Sequence, residues 1–253
     1  MSIFSTLRQR NKLLFWFGLF NIAVGAVCVV LQFTDDTQLL NVNRWLKPMK
    51  FYLSVGIMVW TMNWLLYYLS SAKKIIVYSR LIVITMLFEN GLILMQAIRG
   101  TPSHFNNTSA FNGIVFSAMG AIILSFTITC IFITISFFRQ KEFTIAPSYV
   151  WGIRIGLILF ILFSLEGGVM VGLLKHTVGA SDGSEGLPLV NWSRHYGDLR
   201  IAHFIGLHAL QAIPLIGYYV AKNKNQLFLY AGLYFIVAAA LFIQAIKGIP
   251  LFF

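Results

Sequence analysis

Apolar residues run almost without interruption through seven stretches, 13–33, 49–69, 75–98, 111–137, 149–173, 199–221 and 226–247. Each reaches or exceeds the roughly 20 helical residues that cross a hydrocarbon core of about 30 Å. The runs are continuous rather than alternating at every second position, which argues against a transmembrane β-barrel. The pattern predicts an all-α integral membrane protein with seven transmembrane helices. Residues 1–253 are expected to form a single bundle, because little chain is left between the stretches for another domain.

Composition sharpens this class. With 58% hydrophobic and 11% charged residues and a mean hydropathy of +0.78, the chain is no ordinary soluble domain. A net charge of +11 could point to nucleic acid, but the charges are distributed as membrane flanks. Arg8, Arg10 and Lys12, Lys73 and Lys74, Arg139 and Lys141, and Lys222 and Lys224 flank four segments of one side, where Glu142 is the only acid. The other side holds Asp35, Asp36, Asp182, Glu185 and Asp198. The positive-inside rule then predicts a cytoplasmic N-terminus and an external C-terminus in a bacterial inner (plasma) membrane. The expected partner is the lipid bilayer and not nucleic acid. The first stretch exceeds a usual signal-peptide core and lacks a small-x-small cleavage site, so it is expected to be a retained helix. Cys28 and Cys130 fall in spans one and four, toward opposite ends, and read as buried hydrophobes rather than a disulfide.

A repeat is written into the third and seventh spans. One ends in QAIRGTP (Gln96 to Pro102) and the other in QAIKGIP (Gln244 to Pro250), identical at five of seven positions and offset by 148 residues. Asn43 and Trp45 before span two are echoed by Asn191 and Trp192 before span six. LFNIAVG (Leu19 to Gly25) is echoed by LFSLEGG (Leu162 to Gly168). These matches predict a parallel 3+1+3 repeat, with units 13–102 and 149–250 joined by the fourth span. Parallel repeats are one architecture of membrane transporters.

Ionisable residues inside a span cost about 2.5–3.5 kcal/mol each, so their positions are informative. Counted at 1.5 Å per residue from the predicted outer ends, Glu89 lies about 14 Å deep, Glu166 roughly 11 Å and His208 about 14 Å. His203 is shallower; Gln211 lies below His208; Gln96, Gln244 and Arg99 stand at the mouth. Glu89 and Gln96 share a helical face, as do His208 and Gln211. Arg80 and Arg154, near the inner ends, are expected to snorkel. The loop histidines His104, His176 and His195 are expected to be solvated. The predicted site is therefore an outward-facing polar pocket closed below by an apolar floor.

Two function classes fit. The pocket binds or transports a small solute, with proton coupling through Glu89 and Glu166, because low dielectric favours a neutral carboxyl. Alternatively, Glu89, Glu166, His203 and His208 hold zinc or non-haem iron in a membrane-embedded enzyme. No HExxH, HxxxH or Glu-x-x-His motif supports the second class, and the absence of GxSxG argues against a serine hydrolase. A retinal lysine is disfavoured because Lys247 occupies a helix end, matching Arg99 in the repeat. No cofactor, solute identity or oligomeric state is written in these residues.

Overall fold

The computed structural model describes residues 2–184 and 186–251; Glu185, counted above among the acids, lies outside them. Among the described residues the chain forms α1 (Ile3–Arg10), α2 (Lys12–Thr34), α3 (Leu46–Leu66), α4 (Ala72–Ile98), α5 (Ala110–Arg139), α6 (Pro147–Leu173), α7 (Leu199–Tyr219) and α8 (Lys224–Ile246). Two antiparallel ladders of two-residue strands complete it, β1 (Gln38–Leu39) with β2 (Val42–Asn43) and β3 (Thr177–Val178) with β4 (Gly197–Asp198). Helices α2 to α8 occupy the seven apolar stretches, with ends that differ by no more than three residues.

Six of these helices, α2 and α4 to α8, are long and apolar enough to cross a membrane, so the protein is an integral membrane protein. Helix α3 has 21 residues, but Lys47, Pro48 and Lys50 in its first turn and Asn63 near its end dilute its apolar character. Helix α1 is a feature the apolar pattern did not reveal. It is eight residues long with Arg8 and Arg10 in its last turn, too short and polar to register as a span. Asn11 separates α1 from α2: its extended backbone ends the first helix, and its side chain caps the second by accepting from the Leu14 amide at 3.1 Å.

The chain divides into two compact units, Met1–Ile133 and Thr134–Phe253, and the boundary falls inside α5. Among the three long helices α2, α3 and α4 of unit 1 the largest interface joins α2 to α3, followed by α3 to α4 and then α2 to α4, with short α1 packing on α2 and α3 besides. Unit 2 has the same order, with α6 to α7 first, then α7 to α8, then α6 to α8. Small residues permit both leading interfaces, as expected where helices associate in lipid. A Cβ on Gly25 would lie 2.7 Å from Leu53 Cδ2, and one on Gly56 2.8 Å from Ile22 Cδ1. In unit 2, Gly156 packs against the Ala209 carbonyl and Gly217 against that of Ser148, where a Cβ would lie 2.8 Å and 2.7 Å away.

The two repeat motifs end their helices in the same way. In α4 the Thr101 amide bonds the Gln96 carbonyl and the Gly100 amide that of Ala97, with Gly100 at φ +69°. In α8 Ile249 bonds Gln244, Gly248 bonds Ala245, and Gly248 has φ +74°. Both are Schellman endings, in which glycine takes a left-handed conformation that a Cβ would strain.

Candidate functional site

Unit 1 buries its polar groups along one face of α4. Glu89 is 2% exposed, and its Oε2 has no hydrogen-bond partner among the described residues. Lys47, from the first turn of α3, acts on it electrostatically. Beside it the Asn90 amide donates to Asn21 Oδ1 at 2.8 Å, and the Asn21 amide donates to the Phe17 carbonyl at 2.8 Å. Asn90 Oδ1 is a second buried acceptor with no partner among the described residues. An orphaned buried acceptor costs about 1–3 kcal/mol. Two turns further along α4, buried Gln96 donates to Asn112 Oδ1 at 3.2 Å, and Arg99 donates to both Gln96 Oε1 and Asn112 Oδ1. The predicted shared face of Glu89 and Gln96 is present, and both side chains point into the unit's interior.

Unit 2 builds a different carboxyl site. Glu166 on α6 is 9% exposed; His203 Nδ1 on α7 lies 3.1 Å from its Oε2. Such a contact requires a proton between the two atoms, since both would otherwise be acceptors. Glu166 Oε1 has no hydrogen-bond partner among the described residues. The His203 side chain keeps 29% of its surface exposed, so the pair is reachable from one side. Gly167 meets the His203 ring at van der Waals distance, while Gly168 and Gly172 face open space.

The remaining predicted residues take other positions. His208 is exposed, its Nδ1 donates to the Phe204 carbonyl at 2.7 Å, and its ring packs 4.1 Å from that of Phe204. Gln211 is half-buried on the same helix. Gln244 donates to the Pro250 carbonyl at 2.6 Å, within its own helix ending. Arg154 donates to the Phe137 and Gln140 carbonyls, capping the end of α5. Cys28 and Cys130 are both buried, and neither forms a disulfide. Among the described residues no three of His, Cys, Asp and Glu gather into a group that could hold a metal ion, so the metal-dependent reading gains no ligand set.

Aspartates organise the loops at the corresponding end of each unit. In unit 1 Asp35 accepts from the Thr37 amide at 3.0 Å, the Trp45 indole at 2.8 Å and Arg44 Nε at 2.6 Å. The Thr37 hydroxyl and amide, then Trp45 and Arg44, hold the Asp35 carboxyl well below the usual carboxylate range. Arg44 reaches on to the Ile98 carbonyl, the last of α4, at 3.3 Å. In unit 2 Asp182 receives the His176 amide and ring and the Thr177 amide, at 2.7–3.1 Å. Burial pushes the Asp182 carboxyl up, but the His176 ring and these amides outweigh it and hold it below the ordinary value. Sequence reasoning treated His176 as solvated, and the structure gives it an ion-pair partner instead. Asp198 is fully buried, accepts from the Ser193 amide at 2.7 Å, and pairs with Arg200.

No known protein family, no curated protein and no solved structure matches the chain.

Proposed function

We propose that the protein is a membrane carrier for a small polar solute, with proton exchange at buried carboxyls linked to binding. The observation that carries this reading is that Glu89 and Glu166, both at least nine-tenths buried in apolar helices, each keep one carboxyl oxygen without a hydrogen-bond partner among the described residues. A carboxyl held this way is costly unless a proton or a ligand satisfies it. The His203 side chain that meets Glu166 is itself 29% exposed, so the pair is open on one side.

In this reading α3 also spans the membrane, giving seven spans in a parallel 3+1+3 repeat. The matching order of helix interfaces, the matching Schellman endings and the unit boundary inside α5 support it. The N-terminus lies in the cytoplasm and the C-terminus outside, following the distribution of basic residues. The loops organised by Asp35 and Asp182 then lie on the external side.

The test is a screen of the purified protein for thermal stabilisation by amino acids, amines, sugars and carboxylates, followed by uptake of each stabilising solute into proteoliposomes. The expected result is stabilisation by one chemical class, with uptake driven by an imposed pH gradient and strongly reduced in Glu89→Gln and Glu166→Gln. Uptake that ignores the gradient and survives both substitutions would overturn the reading. Labelling of single cysteines placed beside Lys73, after α3, and in the 35–45 loop tests the topology; reaction of both from the same side would exclude α3 as a span.

A further inference from the structure

The junction of α1 and α2 forms a groove of about 490 Å³, lined by Phe4, Arg8, Gln9, Lys12, Phe15 and Trp16. Its volume falls within the ~300–1,000 Å³ of small-molecule sites. We propose that this groove seats one anionic phospholipid, with its phosphate between Arg8 and Lys12 and its glycerol and first methylenes against Phe4, Phe15 and Trp16. The inference does not depend on the carrier reading.

The first argument is charge. Unit 1 contains three acids, Asp35, Asp36 and Glu89. Asp35 and Asp36 follow the far end of α2, which at 23 residues is about 34 Å long, and Glu89 is buried deep in α4. No carboxylate of the unit can therefore reach Arg8 or Lys12, which leaves the two charges open to an external anion. At the end of an apolar span, the nearest abundant anion is a lipid phosphate.

The second argument is that the groove is built rather than a chance crease. The angle between α1 and α2 is fixed at Asn11, whose amide donates to Ser79 Oγ at 2.8 Å. Buried Asn63 donates to the carbonyls of Leu7 and Asn11, both at 3.1 Å, tying the break to α3. Trp60 fixes the aromatic wall: it bonds the Phe15 carbonyl at 3.1 Å, and its ring meets that of Phe4 at 5.5 Å. Arg8 itself sits 5.7 Å from the Trp16 ring, held over the groove. Ile3, Phe4 and Trp16 are all more than half exposed beside these cations. Apolar side chains next to basic ones on a short helix place it at headgroup depth.

The test is native mass spectrometry of the full chain released from detergent micelles doped with equal phosphatidylglycerol and phosphatidylcholine. One phosphatidylglycerol should be retained under activation that strips phosphatidylcholine. Retention should fall about 30-fold in the Arg8→Gln/Lys12→Gln double variant, at about fivefold per basic charge removed. It should be unchanged in Lys73→Gln/Lys74→Gln, which removes the same charge near the start of α4. Trp16→Ala keeps every charge but removes a wall, and should also weaken retention. No excess of phosphatidylglycerol, equal losses in the two double variants, or displacement by millimolar inorganic phosphate would each overturn the proposal.

Discussion

Each unit buries one carboxyl in apolar helices, and different groups meet the two. In unit 1 Glu89 is 2% exposed, with Lys47 as the charge acting on it. In unit 2 Glu166 faces an imidazole at 3.1 Å that is itself 29% exposed. Glu166 thus has a partly exposed imidazole partner, while Glu89 Oε2 has no hydrogen-bond partner among the described residues, although α4 and α8 end in the same way.

The units also dock their loops onto the last helix by different means, and this predicts unequal sensitivity. Gly197 packs onto the Ala245 carbonyl and Gly248 so tightly that a Cβ there would overlap backbone atoms. Gly197→Ala should cost about 3 kcal/mol, as overpacking against an unyielding neighbour does. The measure is the fall in thermal denaturation midpoint in detergent, with Gly168→Ala, which meets open space, as the control without loss. Next in size is His203→Ala, which strands Glu166 without its partner and should cost about 2 kcal/mol. An equal loss in His208→Ala would mean that the 3.1 Å pair does not organise unit 2. In unit 1 Arg44 does the corresponding docking through a hydrogen bond to the Ile98 carbonyl. Arg44→Ala should therefore lower the midpoint by less than Gly197→Ala does.

The smallest effect is the one that depends on pH. The folded Asp182 carboxyl titrates below its ordinary value of 3.8. Its stabilisation is thus present above about pH 3.8 and is lost as the pH falls through the lower, folded value. The difference in stability between wild type and Asp182→Asn should be constant at neutral pH and shrink on acidification below that point. A difference that grows toward acid would reverse the sign and refute the ion pair with His176.

The helices were legible in the sequence because lipid leaves no alternative: backbone groups in hydrocarbon must bond within their own segment, so apolar length maps directly onto helix. The endings of α4 and α8 were legible too, since Gly100 and Gly248 stand where a left-handed residue is needed. Helix α1 was hidden because eight residues with two arginines carry no span signal, and it is held by tertiary bonds from Asn63 and Ser79. Glu166 and His203 were both identifiable as buried or near-buried ionisable groups. Their pairing was not, because depth counted along each helix says nothing about rotation around it. His203, only about 6 Å into α7, reaches Glu166, whereas deeper His208 turns outward onto Phe204.

The central claim is that Glu166 links proton exchange to solute movement. It is tested most directly by comparing two fluxes of one stabilising solute in proteoliposomes: accumulation driven by a pH gradient and exchange at equal pH. In Glu166→Gln, accumulation should vanish while exchange continues, because the site remains but its proton does not. Accumulation at the wild-type rate in Glu166→Gln would contradict the account.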